Sequence, residues 1–425
     1  MVQIGIATID ITPSQSVWLT GYGDRDHKSE GVYQALRAGA IFLRGDNDAV
    51  LITTADHIGY GSAFAAEAKA NIATATGLLP QQIVLTATHT HCAPFFTPWI
   101  MPGEIEPTYA AFIHHQLVTL AIQACGNTQP GQVSWSRGHS NFGVNRRLPD
   151  DQGGVLFAPN PDGPMDRDLD TLWFTDSASR PLGSLTIFGC HPTSLGGYLL
   201  GGDYPGYLCR ELEKKTGAPA FFSTGCAGNI RPWYKGAAKG FPRPTFAELE
   251  QGGIGLAGDV LKASNGRQNI QASKLQTATV FHSLPYAESP ELNTLKEYVV
   301  QNEMPRHRDW ARTMLQLYKN GGWPSSCPQE IQLVQLDPSL QLVFLGGEIL
   351  TEIGLRLKAD LGRDSTITVA YSNGLIGYVP GKETYPLGGY EVDGSFYYFL
   401  RIAPFTQDVE DLISKQTKSL AATLA

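Results

Sequence analysis

The stretch Ile83-Val84-Leu85-Thr86-Ala87-Thr88-His89-Thr90-His91-Cys92-Ala93-Pro94 begins as an apolar strand and ends as a polar loop with two histidines two residues apart. A short apolar run bounded by a proline-containing loop predicts a buried strand over 83–88. Upstream, Ala49 to Ala55 predicts another buried strand ending at Asp56. Between the two, Ala63 to Thr76 is Ala-rich with helical spacing and stops at Gly77. Downstream, Tyr109 to Cys125 predicts an amphipathic helix closed by Gly126. Leu185 to Gly189 predicts a strand running into Cys190-His191, Tyr207 to Lys215 a helix, and Ala218 to Ser223 the next strand. This alternation predicts an α/β fold, with a mixed β-sheet core covered by helices.

The second half has a different rhythm. Leu275 to Leu284 predicts a strand, and Glu291 to Lys319 one or two helices that read as a lid over a mouth. Glu330 to Leu336 and Gln341 to Gly346 predict a hairpin around Asp337-Pro338. Leu350 to Leu361 predicts a helix, Thr366 to Tyr371 a strand and Asp408 to Leu424 a terminal helix. Residues 1–425 are read as one catalytic unit, with a subdivision near residue 270 as the alternative.

Composition narrows the function classes. A chain of 425 residues with 42% hydrophobic and 17% charged residues belongs to the globular class rather than the disordered one. Lys and Arg number 32 against 40 Asp and Glu, a net charge of -8 that argues against a general nucleic-acid binder. No run approaches the roughly 20 apolar residues of a membrane span. The N-terminus has neither a basic nor an apolar leader region, and the six cysteines show no CxxC pair, so reduced thiols and a cytoplasmic location are expected. A small-molecule substrate is the expected partner, with homo-oligomerisation left open.

Of the ten histidines, His89 and His91 stand out because they follow directly on an apolar strand. If the chain were still extended there, both rings would face one way. Imidazole is a common zinc ligand, although two polar residues opening a loop are the plainer reading. His191 repeats the arrangement in Cys190-His191-Pro192-Thr193-Ser194. The Gly-rich loop Gly201-Gly202-Asp203-Tyr204-Pro205-Gly206 and the turn Thr224-Gly225-Cys226-Ala227-Gly228-Asn229 follow. Three strand-end loops of small and polar residues predict one shared mouth.

In combination these segments resemble the catalytic domain of the neutral (non-lysosomal) ceramidase family. The resemblance rests on Asp10-Ile11-Thr12-Pro13 with Gly21-Tyr22-Gly23, Thr88-His89-Thr90-His91, Asn145-Arg146, His191-Pro192-Thr193-Ser194 and Gly202-Asp203. It continues through Ala227-Gly228 before Pro232, Gly347-Glu348, and Gly377-Tyr378-Val379 with Tyr390-Glu391. The matches keep their order from residue 8 to about 395. The resemblance implies one Zn2+ per chain held by His89, His191, Glu348 and Tyr378. It implies a proton-handling role for His91, a substrate-facing Arg146, and Tyr390 as donor to a developing oxyanion. Asp56 reads either as an orienting group or as a buried turn aspartate.

Three departures are expected to matter. The family pattern has a serine before the proline matched by Pro232, and here that position is Arg231. An arginine stays protonated and cannot act as a nucleophile, so only Ser223 or Cys226 could substitute. Ceramidases also carry a C-terminal β-sandwich and face membranes or the exterior, whereas this sequence ends at Ala425 without a leader. The expectation is therefore a retained zinc site with an altered substrate site. Arg231, Arg146 and Arg147 would favour a small anionic substrate, unless Arg231 pairs with Asp203. An amide or ester hydrolase is the leading reading. Glycoside or lactone hydrolysis, true ceramidase activity and a non-catalytic binding protein are the alternatives.

Overall fold

A computed structural model describes residues 1–234, 240–301 and 303–424. Eight strands form the main path of a nine-stranded mixed sheet: β1 (Val2–Asp10), β2 (Arg37–Arg44), β3 (Ala49–Ala55), β4 (Ile83–Ala87), β5 (Thr128–His139), β6 (Asp168–Asp176), β7 (Pro181–Phe188) and β8 (Ala220–Thr224). Their order is β8-β7-β6-β5-β1-β2-β3-β4, and the short β9 (Gln268–Ile270) pairs with β5. Neighbours run antiparallel except β3 with β4 and β7 with β8. Those two parallel pairs lie at opposite ends of the sheet, which curls until its edges meet. Thr54 Oγ1 donates to Phe222 O at 2.5 Å, the hydroxyls of Thr86 and Ser223 are 2.7 Å apart, and Thr224 Oγ1 donates to Thr88 O at 2.6 Å. The loop after β4 is thereby laid beside the loops after β7 and β8.

A second sheet contains β10 (Gln276–Pro285), β11 (Ser326–Asp337), β12 (Leu340–Leu345) and β13 (Thr366–Val369), with β12 and β13 parallel. It covers one face of the large sheet. Val334, Leu342, Phe344 and Ile367 pack on Ile4, Ile52, Leu172 and Ile187 in one apolar layer. On this face the large mixed sheet is covered by a second sheet, while helices cover the outer faces. The strands on both sides are near-continuous apolar runs, and such runs suit burial under another sheet as well as under helices.

Helices cover the outer faces. α1 (Ser62–Thr76) and α2 (Pro107–Gly126) lie on the β2–β4 end of the large sheet, and α3 (Asp203–Thr216) and α4 (Phe246–Ala263) on the β6–β8 end. α5 (Leu292–Gln301) and α6 (Pro305–Lys319) form a pair whose break falls before Pro305, a residue that suits the first helical turn. Leu295, Trp310 and Met314 anchor the pair on Ile402 and Ala403. α7 (Thr351–Leu361) and α8 (Val409–Ala421) close the second sheet with Ile353, Leu357 and Ile413. Among the described residues no helix is long and apolar enough to cross a membrane.

Candidate metal centre

Strands β4, β7, β12 and β13 all deliver residues to one buried point from their C-terminal ends. His89 follows β4, but the chain there is not extended. His89 has a φ of 65°, in the left-handed region, so the expected strand-like alternation of His89 and His91 does not hold. The backbone kink turns both rings inward, with centroids 5.0 Å apart and Nε2 atoms 3.3 Å apart. The His89 Nδ1 atom lies 2.5 Å from Ile58 O, which fixes the ring. His191 lies three residues beyond the end of β7, and its Nδ1 is 2.6 Å from Ala227 O in the loop after β8.

Glu348 and Tyr378 arrive from the second sheet. Residues 348–349 pair in parallel with 378–379 as two short strands, and Glu348 N donates to Gly377 O at 2.8 Å. The glycines before them, Gly347 and Gly377, have φ of 128° and 93°, which only glycine adopts without strain. Glu348 Oε2 stands 3.0 Å from His191 Nε2 and 3.3 Å from His89 Nε2. The Tyr378 hydroxyl is 3.5 Å from the same His191 nitrogen. His89, His91 and His191 bring their ligating atoms within 4.8 Å of one another.

The electrostatics of this cluster call for a cation. Burial lowers the His191 pKa to about 4, so the ring is neutral at pH 7. With its Nδ1–H directed at Ala227 O, its Nε2 turns a lone pair toward Glu348. Burial alone would raise Glu348, but the imidazoles beside it hold the carboxyl well below its ordinary range. Imidazole nitrogens and an ionised carboxylate converging within 3.0–3.3 Å, out of water, make a site that a cation would satisfy. Two imidazoles, a carboxylate and a phenol form a donor set that fits a divalent metal and leaves room for a further oxygen.

The surrounding residues are also placed. Arg146 lies behind Tyr378, donating to its hydroxyl at 3.1 Å and to Glu391 Oε1 at 2.7 Å. Arg147 donates to Glu391 Oε2 at 2.5 Å and to Gly388 O at 2.7 Å. Arg147 is therefore tied to structure rather than free for an anion, contrary to the sequence expectation. Tyr390 sets its ring edge-on to Tyr378, with centroids 5.3 Å apart, and is about 40% exposed at the mouth. His91 packs on Tyr22 at 4.9 Å, and its Nδ1 has no partner. Arg231 donates to Thr193 O at 2.9 Å and makes no described ion pair with Asp203, whose oxygens accept from Ser194 and Tyr204.

Neither substitute for the missing serine is suited to the task. Ser223 is buried between the sheet edges against Thr86. Cys226 is wedged under α7, and burial pushes its thiol up to about 12, so it stays protonated. Asp56 accepts from Arg37 N at 2.9 Å and has no described bond to the cluster. Sequence reasoning missed Tyr371, whose ring lies 4.1 Å from that of His89 and whose hydroxyl is 3.5 Å from His191 Nδ1. It also missed Arg25, which donates to His91 O at 2.8 Å, and the bridging role of Glu391. An aromatic residue closing a strand, a loop arginine and a glutamate beside the noted Tyr390 were the only signals.

Comparison with known proteins gives one answer. The model of the neutral/alkaline non-lysosomal ceramidase N-terminal region matches residues 2–238. The neutral ceramidase of Mycobacterium tuberculosis (strain ATCC 25618 / H37Rv) is 25% identical over a 261-residue alignment that covers 52% of this chain and only 37% of that protein. The crystal structure of neutral ceramidase from Pseudomonas aeruginosa superposes over 100% of this chain and 74% of its own, with a TM-score of 0.78 at 19% identity. A ceramidase complexed with C2 gives a TM-score of 0.78 at 17% identity, covering 100% of this chain and 75% of its own. At these identities the solved structures speak for the fold, and the family model speaks for descent. With more than half of its length matched by that model, the chain belongs to the neutral/alkaline non-lysosomal ceramidase family.

Proposed function

We propose that the protein is a zinc-dependent hydrolase that opens an amide or ester bond in a small, polar, anionic substrate by means of water. The observation that carries the reading is the approach of the neutral His191 Nε2 and the Glu348 carboxylate to 3.0 Å in a buried site, with the Tyr378 hydroxyl alongside. His89, His191, Glu348 and Tyr378 would hold the ion. When bound, zinc lowers the pKa of a coordinated water toward about 7 and polarises a carbonyl.

The remaining chemistry falls to the chain's own groups. His91, with an unpartnered Nδ1 and a pKa pushed well below its ordinary value by burial, is a neutral ring able to accept and pass on a proton. Tyr378 and Tyr390 offer phenolic O–H groups to an oxyanion developing at the mouth. Arg146 adds a fixed positive charge behind Tyr378 and, held by Glu391, needs no reorganisation as negative charge builds. Arg231 stands at the position of the expected serine and supplies charge rather than a nucleophile.

Elemental analysis of purified wild type beside His191→Ala tests the reading. About one zinc per chain in the wild type, lost in the variant, is the expected result. No zinc retained or taken up by the wild type would overturn it. Amides, esters, lactones and glycosides assayed on the loaded protein then identify the bond cleaved. A fluorescent ceramide included in the series separates this reading from the ceramidase activity that the relatives' names carry.

A further inference from the structure

Arg146 and Arg147 are both tied to Glu391, and the protein carries a further group of positive charges beside the metal cluster. These gather on the turn that follows His191, where Thr193 O accepts from Arg231 and, at 3.3 Å, from the Tyr22 hydroxyl, which also donates to Leu195 O at 2.9 Å. Three guanidinium groups surround this turn. Arg25 sits 5.0 Å over the Tyr22 ring and directs its donors to Thr20 O, His91 O and Gly197 O. Arg243 sits 5.1 Å over the same ring and lies flat against Gly196, where any Cβ would collide with its guanidinium. Arg231 lies 5.3 Å over Phe157 and 5.0 Å over Phe241.

Among the described residues, no carboxylate forms an ion pair with Arg25, Arg231 or Arg243. Asp203, beneath the turn, has both oxygens occupied by Ser194 and Tyr204. Two buried polar atoms at the turn lack partners, Arg231 Nε and Thr193 Oγ1, the latter on a residue only 4% exposed. Uncompensated guanidinium groups held on aromatic faces, with donors unsatisfied beside them, are the pattern of an oxyanion-binding site.

We propose that Arg231 and Arg243 form a two-armed clamp over the Thr193–Gly196 turn for a carboxylate, sulfate or phosphate group, and that the substrate's anionic group docks there, on the Tyr22–His91 side of the metal cluster. That the occupant is a substrate rests on the hydrolase reading, whereas the clamp itself does not. Arg243 is the specificity residue that sequence reasoning did not single out. A Cβ at Gly196 would displace the Arg243 guanidinium from its place against the turn.

Calorimetric titration of the full chain with sodium sulfate, and in parallel with sodium acetate, at constant ionic strength tests the clamp. Wild type is compared with Arg243→Gln, Arg231→Gln and the surface control Arg210→Gln, and zinc content is measured on every sample. The expected result is saturable binding in wild type and control, weakened about tenfold in each clamp variant with zinc unchanged, as befits one lost charge-assisted hydrogen bond. A preference for sulfate or for acetate assigns a tetrahedral or a planar group to the clamp. Equal affinity in all four proteins, or no saturable binding of either anion, overturns the proposal. Because Arg243 is exposed, its variant tests the clamp even if Arg231→Gln does not fold. Arg243-dependent anion binding without turnover of any amide or ester would sink the hydrolase reading and leave the clamp standing. Turnover with no loss of preference for an anionic over a neutral substrate in Arg243→Gln would do the reverse.

Discussion

Tyr390 is about 40% exposed and sits edge-on to Tyr378, and a phenol, with an ordinary pKa near 10, remains a proton donor at neutral pH. Loss of one oxyanion donor typically costs about 2.7–4 kcal/mol in barrier. Tyr390→Phe is therefore expected to slow turnover about 100-fold or more while zinc content stays at the wild-type level. Unchanged kcat would remove Tyr390 from the chemistry. His57 bears instead on stability. It is fully buried between Tyr60 and Phe96, its Nδ1 accepts from Gly59 N, and burial lowers its pKa to about 3. In the unfolded chain a histidine takes up its proton near 6.5. As pH falls from about 6.5 toward 3 the unfolded state gains this proton first, so stability is lost across that window, by up to about 4 kcal/mol. Asp56 and Glu352, raised by burial to about 6 and 7, act in the opposite direction and lose stability as pH rises through those values. The test is a difference: the urea-unfolding free energy of wild type minus that of His57→Phe should fall as pH is lowered from 6.5 to 4. Parallel slopes would show that His57 carries no such linkage. None of this is legible in the sequence, where His57 follows a strand-end Asp56 and looks no different from a solvated loop residue.

The strands that deliver the site were legible in kind. Ile83 to Thr88 differs from the observed Ile83–Ala87 by one residue, and the expected hairpin of 330–336 and 341–346 corresponds to Ser326–Asp337 and Leu340–Leu345. The strand expected to reach Tyr371 stops at Val369 because Tyr371 takes a φ of 53°, a left-handed turn that propensity does not foresee in a tyrosine. The stacking of one sheet on the other was not legible either, because an apolar strand does not announce whether a helix or a sheet will cover it. One helix is pinned by an unusual contact. Lys358 of α7 is 2% exposed and reaches Asp166 at 2.6 Å, Asp168 at 2.9 Å and Asp170 at 3.8 Å on and beside β6. Glu348 lies only three residues before α7. Lys358→Met would remove the buried cation shared by Asp166, Asp168 and Asp170 and is expected to cost about 3–5 kcal/mol in urea unfolding. A cost below about 1 kcal/mol would show that Arg137, which also bonds Asp170 at 2.8 Å, suffices alone.

At the scale of the whole molecule, the donor cluster lies where the two sheets meet, with His89 and His191 supplied by one and Glu348 and Tyr378 following strands of the other. An ion held there would bind the folded state and not the unfolded one. Free zinc at 100 times its dissociation constant would then add about 2.7 kcal/mol to stability. The melting temperature of the chelated protein should accordingly climb with added zinc and level off only slowly, and His191→Ala should show no such climb. A wild-type melting temperature indifferent to zinc would sink the donor assignment. The ordering of the donors along the chain has a further consequence, for synthesis. His89 leaves the ribosome long before Glu348 and Tyr378. A nascent chain therefore carries the two imidazoles before the carboxylate and phenol that would complete the proposed set. The proposed centre can close only after both sheets are made, so an ion would be held only once the second sheet has joined the first.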